Sequence, residues 1–139
     1  MSTRTQRLLG VTTAVAVVGT IGSLWFSLVL GLVPCELCWY QRILLYPLTV
    51  VLGVATIEDR PRVVLTVLPL SGLGVVVAAY HVVLQVRPTI GATCSVDGGC
   101  SAVLYPMLGG LLTIPRLSLI AFVLVTGLSV GVWLTRADA

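Results

Sequence analysis

Four cysteines stand in two pairs, Cys35/Cys38 and Cys94/Cys100, with two residues between the first pair and five between the second. Paired thiols fit three chemistries: structural disulfides, a metal site, or thiol–disulfide exchange. As a staple, a bond across Cys35-Glu36-Leu37-Cys38 would close too short a loop to remove much entropy from the unfolded chain, which leaves a structural bond running from loop to loop. A four-cysteine zinc site wants its second pair at C-x2–4-C spacing, and Cys94/Cys100 is wider. Exchange suits both spacings. Cys38 is expected in the first turn of a helix, where unpaired N–H groups and the helix dipole favour an anion. Arg42 follows four residues later, on the same helix face. Its guanidinium would favour a charged sulfur and can donate to an anionic oxygen nearby. The plainer reading of Arg42 is a cation reaching for lipid headgroups.

The second pair suits a different task. Gly98-Gly99, between Cys94 and Cys100, lets the loop bend so that a large partner reaches a sulfur, and then lets it swing toward Cys35. His81, the sole histidine of the sequence, falls near the end of an apolar run, about level with Arg42. It reads either as a polar residue bonded to a neighbouring helix or as a hydrogen-bond donor to a bound electron acceptor. Trp39, Tyr46 and Tyr80 read as interface anchors. Of the aromatic residues near the pair, Tyr40 alone is given a role at the site.

The elements that must hold these residues are membrane spans. The sequence is 58% hydrophobic and 9% charged, with a mean hydropathy of +1.10, whereas ordinary soluble chains are about a quarter charged. The net charge of +3 comes from arginines without a lysine, and no basic stripe suits a nucleic acid. Uncharged or nearly uncharged runs cover about 8–33, 38–57, 63–86 and 117–134, each long enough for the roughly 20 residues that cross a bilayer. The first is too long for a signal peptide and lacks a small-residue cleavage site, so it is expected to stay attached. Glycines at 10, 19, 22 and 31 suit close helix packing in lipid.

The expectation is an all-α membrane protein: one domain over 1–139, a four-helix transmembrane bundle with outer loops at 34–37 and 87–116. The moderately apolar stretch around 102–112, broken by Pro106 and Gly109-Gly110, is expected as a short surface-lying helix. Four spans put both termini on one side with Arg4, Arg7, Arg60, Arg62 and Arg136, against Arg42, Arg87 and Arg116 on the other. The positive-inside tendency makes the termini cytoplasmic and the cysteine loops extracytoplasmic, the side where disulfides persist.

The order of these features resembles the DsbB/BdbC family of membrane disulfide-bond formation proteins. The resemblance rests on four spans, a Cys-x-x-Cys-x-x-x-Arg opening the second, a cysteine pair before the fourth, and Thr113-Ile114-Pro115-Arg116-Leu117-Ser118-Leu119 opening the last. The related vitamin K epoxide reductases carry the reverse order of cysteine pairs. The resemblance implies a protein-dithiol:quinone oxidoreductase in the cell membrane, which re-oxidises an extracytoplasmic DsbA-like thioredoxin-fold thiol oxidase. It implies that Cys94 takes the partner's attack, that Cys100 resolves the mixed disulfide and exchanges with Cys35, and that Cys38 faces the quinone. Arg42 and His81 match the family's quinone-site residues, which implies a quinone cleft near the outer ends of spans one, two and three. The competing expectation from a different class is a membrane scaffold whose disulfides staple its outer loops.

Overall fold

Ser2 starts the first helix. Its hydroxyl accepts from the Thr5 N–H at 3.3 Å, an N-cap that opens α1 at Thr3 and carries it to Leu28. The helix therefore begins five residues before the uncharged run and takes Arg4 and Arg7 with it. It also ends earlier than that run. Gly31 adopts φ +67°, and the Leu30 and Leu32 N–H groups fold back onto the Trp25 and Phe26 carbonyls. The last apolar residues of the run are thus a loop over the helix end.

The computed structural model describes residues 2–87, 89 and 105–138, so Cys94 and Cys100 lie outside the described residues. After α1 come α2 (Glu36–Ile57), a 3-10 turn (Pro61–Val63), α3 (Val64–Val86) and α4 (Ile114–Ala137). All four helices are long and apolar enough to cross a membrane. Pro47 and Pro69 lie inside α2 and α3, an interruption that helices packed in lipid tolerate better than soluble ones. The described part of the second outer loop, 105–112, is a tight turn rather than an α-helix. Met107 and Leu112 exchange backbone hydrogen bonds, and Leu108, Gly109 and Gly110 all have positive φ, which a right-handed helix excludes. Arg116 donates to the carbonyls of Leu111 (2.7 Å) and Gly110 (3.4 Å) and so ties this turn to the start of α4.

α1 and α3 each pack on α2 and α4, and α2 touches α4 across the middle. The core holds Leu9 and Ala16 of α1, Leu44, Leu48 and Leu52 of α2, Val67 and Ala78 of α3, and Phe122, Val125 and Val132 of α4. Large apolar side chains also cover the outside: Val18, Ile43, Val50, Leu65, Val76 and Val123 are all exposed. In water that would be a liability; against lipid it is the expected surface. With apolar groups on both faces, the helices select each other through small and hydroxyl side chains. Thr13–Thr56 (2.7 Å), Thr20–Thr49 (2.8 Å) and Ser23–Tyr46 (3.2 Å) form a ladder between α1 and α2. Between α3 and α4, Thr126 donates to Ser71 at 2.9 Å. Gly74 gives the Phe122 ring its place there, since a Cβ on it would fall 2.2 Å from that ring.

Both termini lie at one end of the bundle. Thr5 of α1 donates to Thr135 of α4 at 3.1 Å, and Gln6 donates to Asp59 in the turn after α2 at 3.2 Å. The Cys35-to-Cys38 segment lies at the other end, with the residues that lead toward α4.

Candidate functional site

Cys35 is the N-cap residue of α2, and its carbonyl accepts the first helical bond, from the Trp39 N–H at 3.1 Å. Cys38 is then the third helical residue, inside the first turn. Both sulfurs are half-buried, and the Cys35 thiol points at the Cys38 sulfur across 3.2 Å. Donating that hydrogen pushes the Cys35 thiol up to about 11, and burial adds to the rise; His81 and the Cys38 N–H pull the other way. At neutral pH the pair therefore keeps a proton on Cys35.

Cys35 and Cys38 face different neighbours. On one side stands α3, whose buried stripe runs Ser71, Gly74, Ala78, His81, spaced three and four apart as one helix face requires. His81 is 2% exposed. Its Nε2 sits 3.7 Å from Cys35 Sγ, and its Nδ1 meets the Gln41 side-chain amide at 2.9 Å. Gln41 is itself buried at 5% exposure, so the two polar groups satisfy one another where water cannot. On the other side lies a cavity of about 550 Å³ between α1, α2 and α4. Cys38 lines it, with Gln41 and Arg42 from α2, Ser23 and Ser27 from α1, and Ser118 from α4. The rest of its wall is apolar and extends along α1 from Val11 to Phe26, a helical rise of about 22 Å.

Arg42 lines this cavity from α2. Its Nη2 donates to the Ser23 carbonyl at 3.2 Å and to the Ser27 hydroxyl, and its guanidinium lies 5.4 Å from the centre of the Trp39 ring. An arginine reaching for headgroups would point outward; this one points across to α1. The sequence places Arg42 and Cys38 on one face, and both line the same cavity. It did not single out Gln41, although its position three residues after Cys38 puts it on that face too, nor Ser23 and Ser27, whose part depends on which helix packs beside α2.

Two expectations change. The cavity lies among spans one, two and four, not one, two and three, because α1 packs against α4 and not α3. His81 does not line it; it stands against Cys35 on the far side of the pair. Tyr40 is exposed and donates to Glu36 at 3.1 Å, away from the cavity. Cys94 and Cys100 lie outside the described residues, so the structure does not relate them to Cys35.

The cavity fits a lipid-soluble molecule with a polar head and an apolar tail. Its polar end gathers a guanidinium, hydroxyls and a thiol, and its length is apolar throughout.

Comparison with known proteins gives these features a context. A family model described as "Disulfide bond formation protein DsbB" matches residues 3–132. The chain is 43% identical over 112 residues to Disulfide bond formation protein C of Bacillus subtilis, covering 80% of this chain and 81% of that one. It is 41% identical over 107 residues to a probable disulfide formation protein of Oceanobacillus iheyensis, covering 75% and 73%. A probable disulfide formation protein of Chlamydia caviae is likewise 41% identical, over 106 residues and 75% of each chain. No solved structure matches.

Proposed function

This chain belongs to the DsbB family of disulfide bond formation proteins, and from that premise we propose that it re-oxidises an extracytoplasmic thioredoxin-fold dithiol oxidase and delivers the electrons to membrane quinone. The chain is a multi-pass membrane protein with an oxidoreductase role in disulfide formation. The finer reading rests on one observation above the others: Cys38 and Arg42 line a single apolar cavity, with the Cys35 thiol directed at Cys38 from behind.

In this reading Cys94 and Cys100 receive the partner's electrons and Cys35/Cys38 pass them on. A thiolate of the partner attacks the Cys94–Cys100 disulfide at Cys94 and releases Cys100, which attacks the Cys35–Cys38 disulfide at Cys35 and releases Cys38. The partner's second thiolate then frees Cys94 and leaves as a disulfide, and Cys94 closes on Cys100 to release Cys35, leaving the first pair as a dithiol. A quinone in the cavity supplies the two-electron acceptor that lets the cycle repeat. Turning the Cys35/Cys38 dithiol into a disulfide releases two electrons and two protons. Cys35 holds one of those protons until the bond forms, with His81 Nε2 3.7 Å away. Arg42, fixed by Ser23 and Ser27, would hold an oxygen of the acceptor by charge-assisted hydrogen bonding. The five-to-three distribution of arginines supports cytoplasmic termini and an extracytoplasmic site.

The test is quinone reduction by purified protein in detergent, with a reduced thioredoxin-fold protein as donor. Parent, Cys38→Ser and Cys94→Ser proteins are run side by side. Catalytic loss of quinone absorbance in the parent alone supports both cysteine roles. Turnover by Cys38→Ser at the parent rate would remove Cys38 from its role, and no turnover by folded parent with several donors and quinones would favour the scaffold.

A further inference from the structure

The side chains around the first cysteine pair make up a donor set that electron transfer alone does not require. The ligand atoms of Cys35, Cys38 and His81 all lie within 4.8 Å of one another. Two thiolates and an imidazole are the ligands that zinc and other soft, filled-shell cations prefer. Metal–ligand bonds of about 2.3 Å to sulfur and about 2.0 Å to nitrogen in a tetrahedral arrangement require S···N of about 3.5 Å and S···S of about 3.8 Å. The structure has Cys35 Sγ to His81 Nε2 at 3.7 Å and Sγ to Sγ at 3.2 Å. The first separation already fits. The second, and the approach of Cys38 Sγ to His81, which lies within 4.8 Å, are reached by side-chain rotation at the start of a helix.

We propose that the dithiol form of Cys35 and Cys38, together with His81, is a binding site for a thiophilic divalent cation such as zinc, and that the disulfide form is not. Gln41 serves as the outer support. The Gln41 amide nitrogen meets His81 Nδ1 at 2.9 Å; turning that amide over places its oxygen on Nδ1–H and leaves the Nε2 lone pair facing Cys35, the arrangement that metal-bound histidines use. Binding releases the two thiol protons. Two thiolates, a neutral imidazole and a divalent ion then sum to no net charge, which suits a half-buried position next to lipid. The fourth coordination position is left to water. A disulfide carries no thiolate, so oxidation abolishes the site, and metal on the dithiol holds both sulfurs away from exchange. The binding itself does not rest on the oxidase reading; only this consequence for turnover does.

The experiment uses the full chain in detergent with Cys94→Ala and Cys100→Ala, so that one cysteine pair remains. The protein is reduced, freed of reductant without oxygen, and titrated with cadmium while thiolate-to-metal absorption is followed. Zinc affinity is then read by competition with a chromophoric chelator. One equivalent of cadmium should saturate the band, and the oxidised protein should show none. His81→Ala and the polar His81→Gln should each weaken zinc by at least about tenfold, and Gln41→Leu by a similar factor. Helical circular dichroism checks each variant. No band at stoichiometric cadmium, equal binding by the disulfide form, or unchanged affinity in both folded His81 variants would overturn the site. No donor or quinone is present, so a failure here leaves the oxidase reading standing, and absence of turnover in the earlier assay leaves this result standing.

Discussion

Replacing Cys38 by alanine should make Cys35 react faster with an alkylating reagent near neutral pH, although nothing is done to Cys35 itself. The Cys35 thiol is raised to about 11, first by its hydrogen bond to Cys38 and then by burial. At pH 8 a group titrating near 11 is about one part in a thousand thiolate, and one near the ordinary value of 9.0 about one in ten. The difference is about a hundredfold in reactive species. A more basic thiolate is also a better nucleophile, and a Brønsted slope of about 0.4–0.5 over two pH units returns roughly tenfold of that loss. The net ceiling is therefore about tenfold, and burial, which the substitution leaves in place, lowers the expectation to about three- to tenfold.

The assay follows iodoacetamide modification of the peptide carrying Cys35 by mass, in detergent with a chelator, using proteins with Cys94→Ala and Cys100→Ala. The sign can be checked by pH. Below pH 8 both rates should rise about tenfold per unit at a constant ratio. The variant should level off first while the parent keeps rising toward 11, so the curves converge and then cross. Equal rates at pH 8, or a parent curve that levels off below about 9.5, would refute the reasoning that the Cys38 sulfur holds the Cys35 proton.

Other substitutions test the remaining contacts. Arg42→Ala should raise the apparent KM for quinone by about tenfold or more, the scale of a lost charge-assisted hydrogen bond, and leave the dependence on the donor protein unchanged; a steady-state titration of each substrate separates the two. Gly74→Ala should destabilise the bundle by about 1–3 kcal/mol, because the new methyl would meet the Phe122 ring, and Phe122→Leu should recover part of that loss in detergent-resistant thermal unfolding. Gln41→Leu should cost about 1–3 kcal/mol by leaving the buried Nδ1 of His81 without its partner, whereas the exposed Tyr40→Phe, which loses only a bond to Glu36, should be neutral within about 0.5 kcal/mol in the same melts.

Charge and thiol spacing made much of this protein readable in its sequence, because those signals are local. Runs with at most one charged residue mark four helices, and Cys38 and Arg42 fall on one face by arithmetic alone. The ends of α1 were less legible. An uncharged run reports what can enter lipid, while the helix itself is set by the Ser2 cap and by the positive φ of Gly31. Helix neighbours were illegible for a related reason. In a bilayer the inward and outward faces are both apolar, so periodicity that orients a soluble helix carries little information. The cavity was therefore expected against α3 and lies against α4. The hydroxyl ladder of Thr13, Thr20 and Ser23 was in plain view, yet its partners Thr56, Thr49 and Tyr46 follow only once α1 and α2 are known to be antiparallel neighbours.

The position of His81 is the more informative of these observations. A histidine level with Arg42 would be one more polar group around a bound head if both lined one cavity. The pair of cysteines stands between them instead, and each sulfur consequently meets a different chemistry. Cys38 borders a long apolar space with a fixed cation in its wall. Cys35 borders a buried imidazole whose far nitrogen is held by Gln41. Closing a dithiol to a disulfide must dispose of electrons and protons together, and a site that met both sulfurs with the same neighbours would have to send both into lipid. Here a long apolar cavity is adjacent to one sulfur and an imidazole nitrogen to the other. The three-residue spacing on a single helical turn accomplishes this separation, since it keeps the sulfurs 3.2 Å apart while the helix they start divides α3 from the cavity.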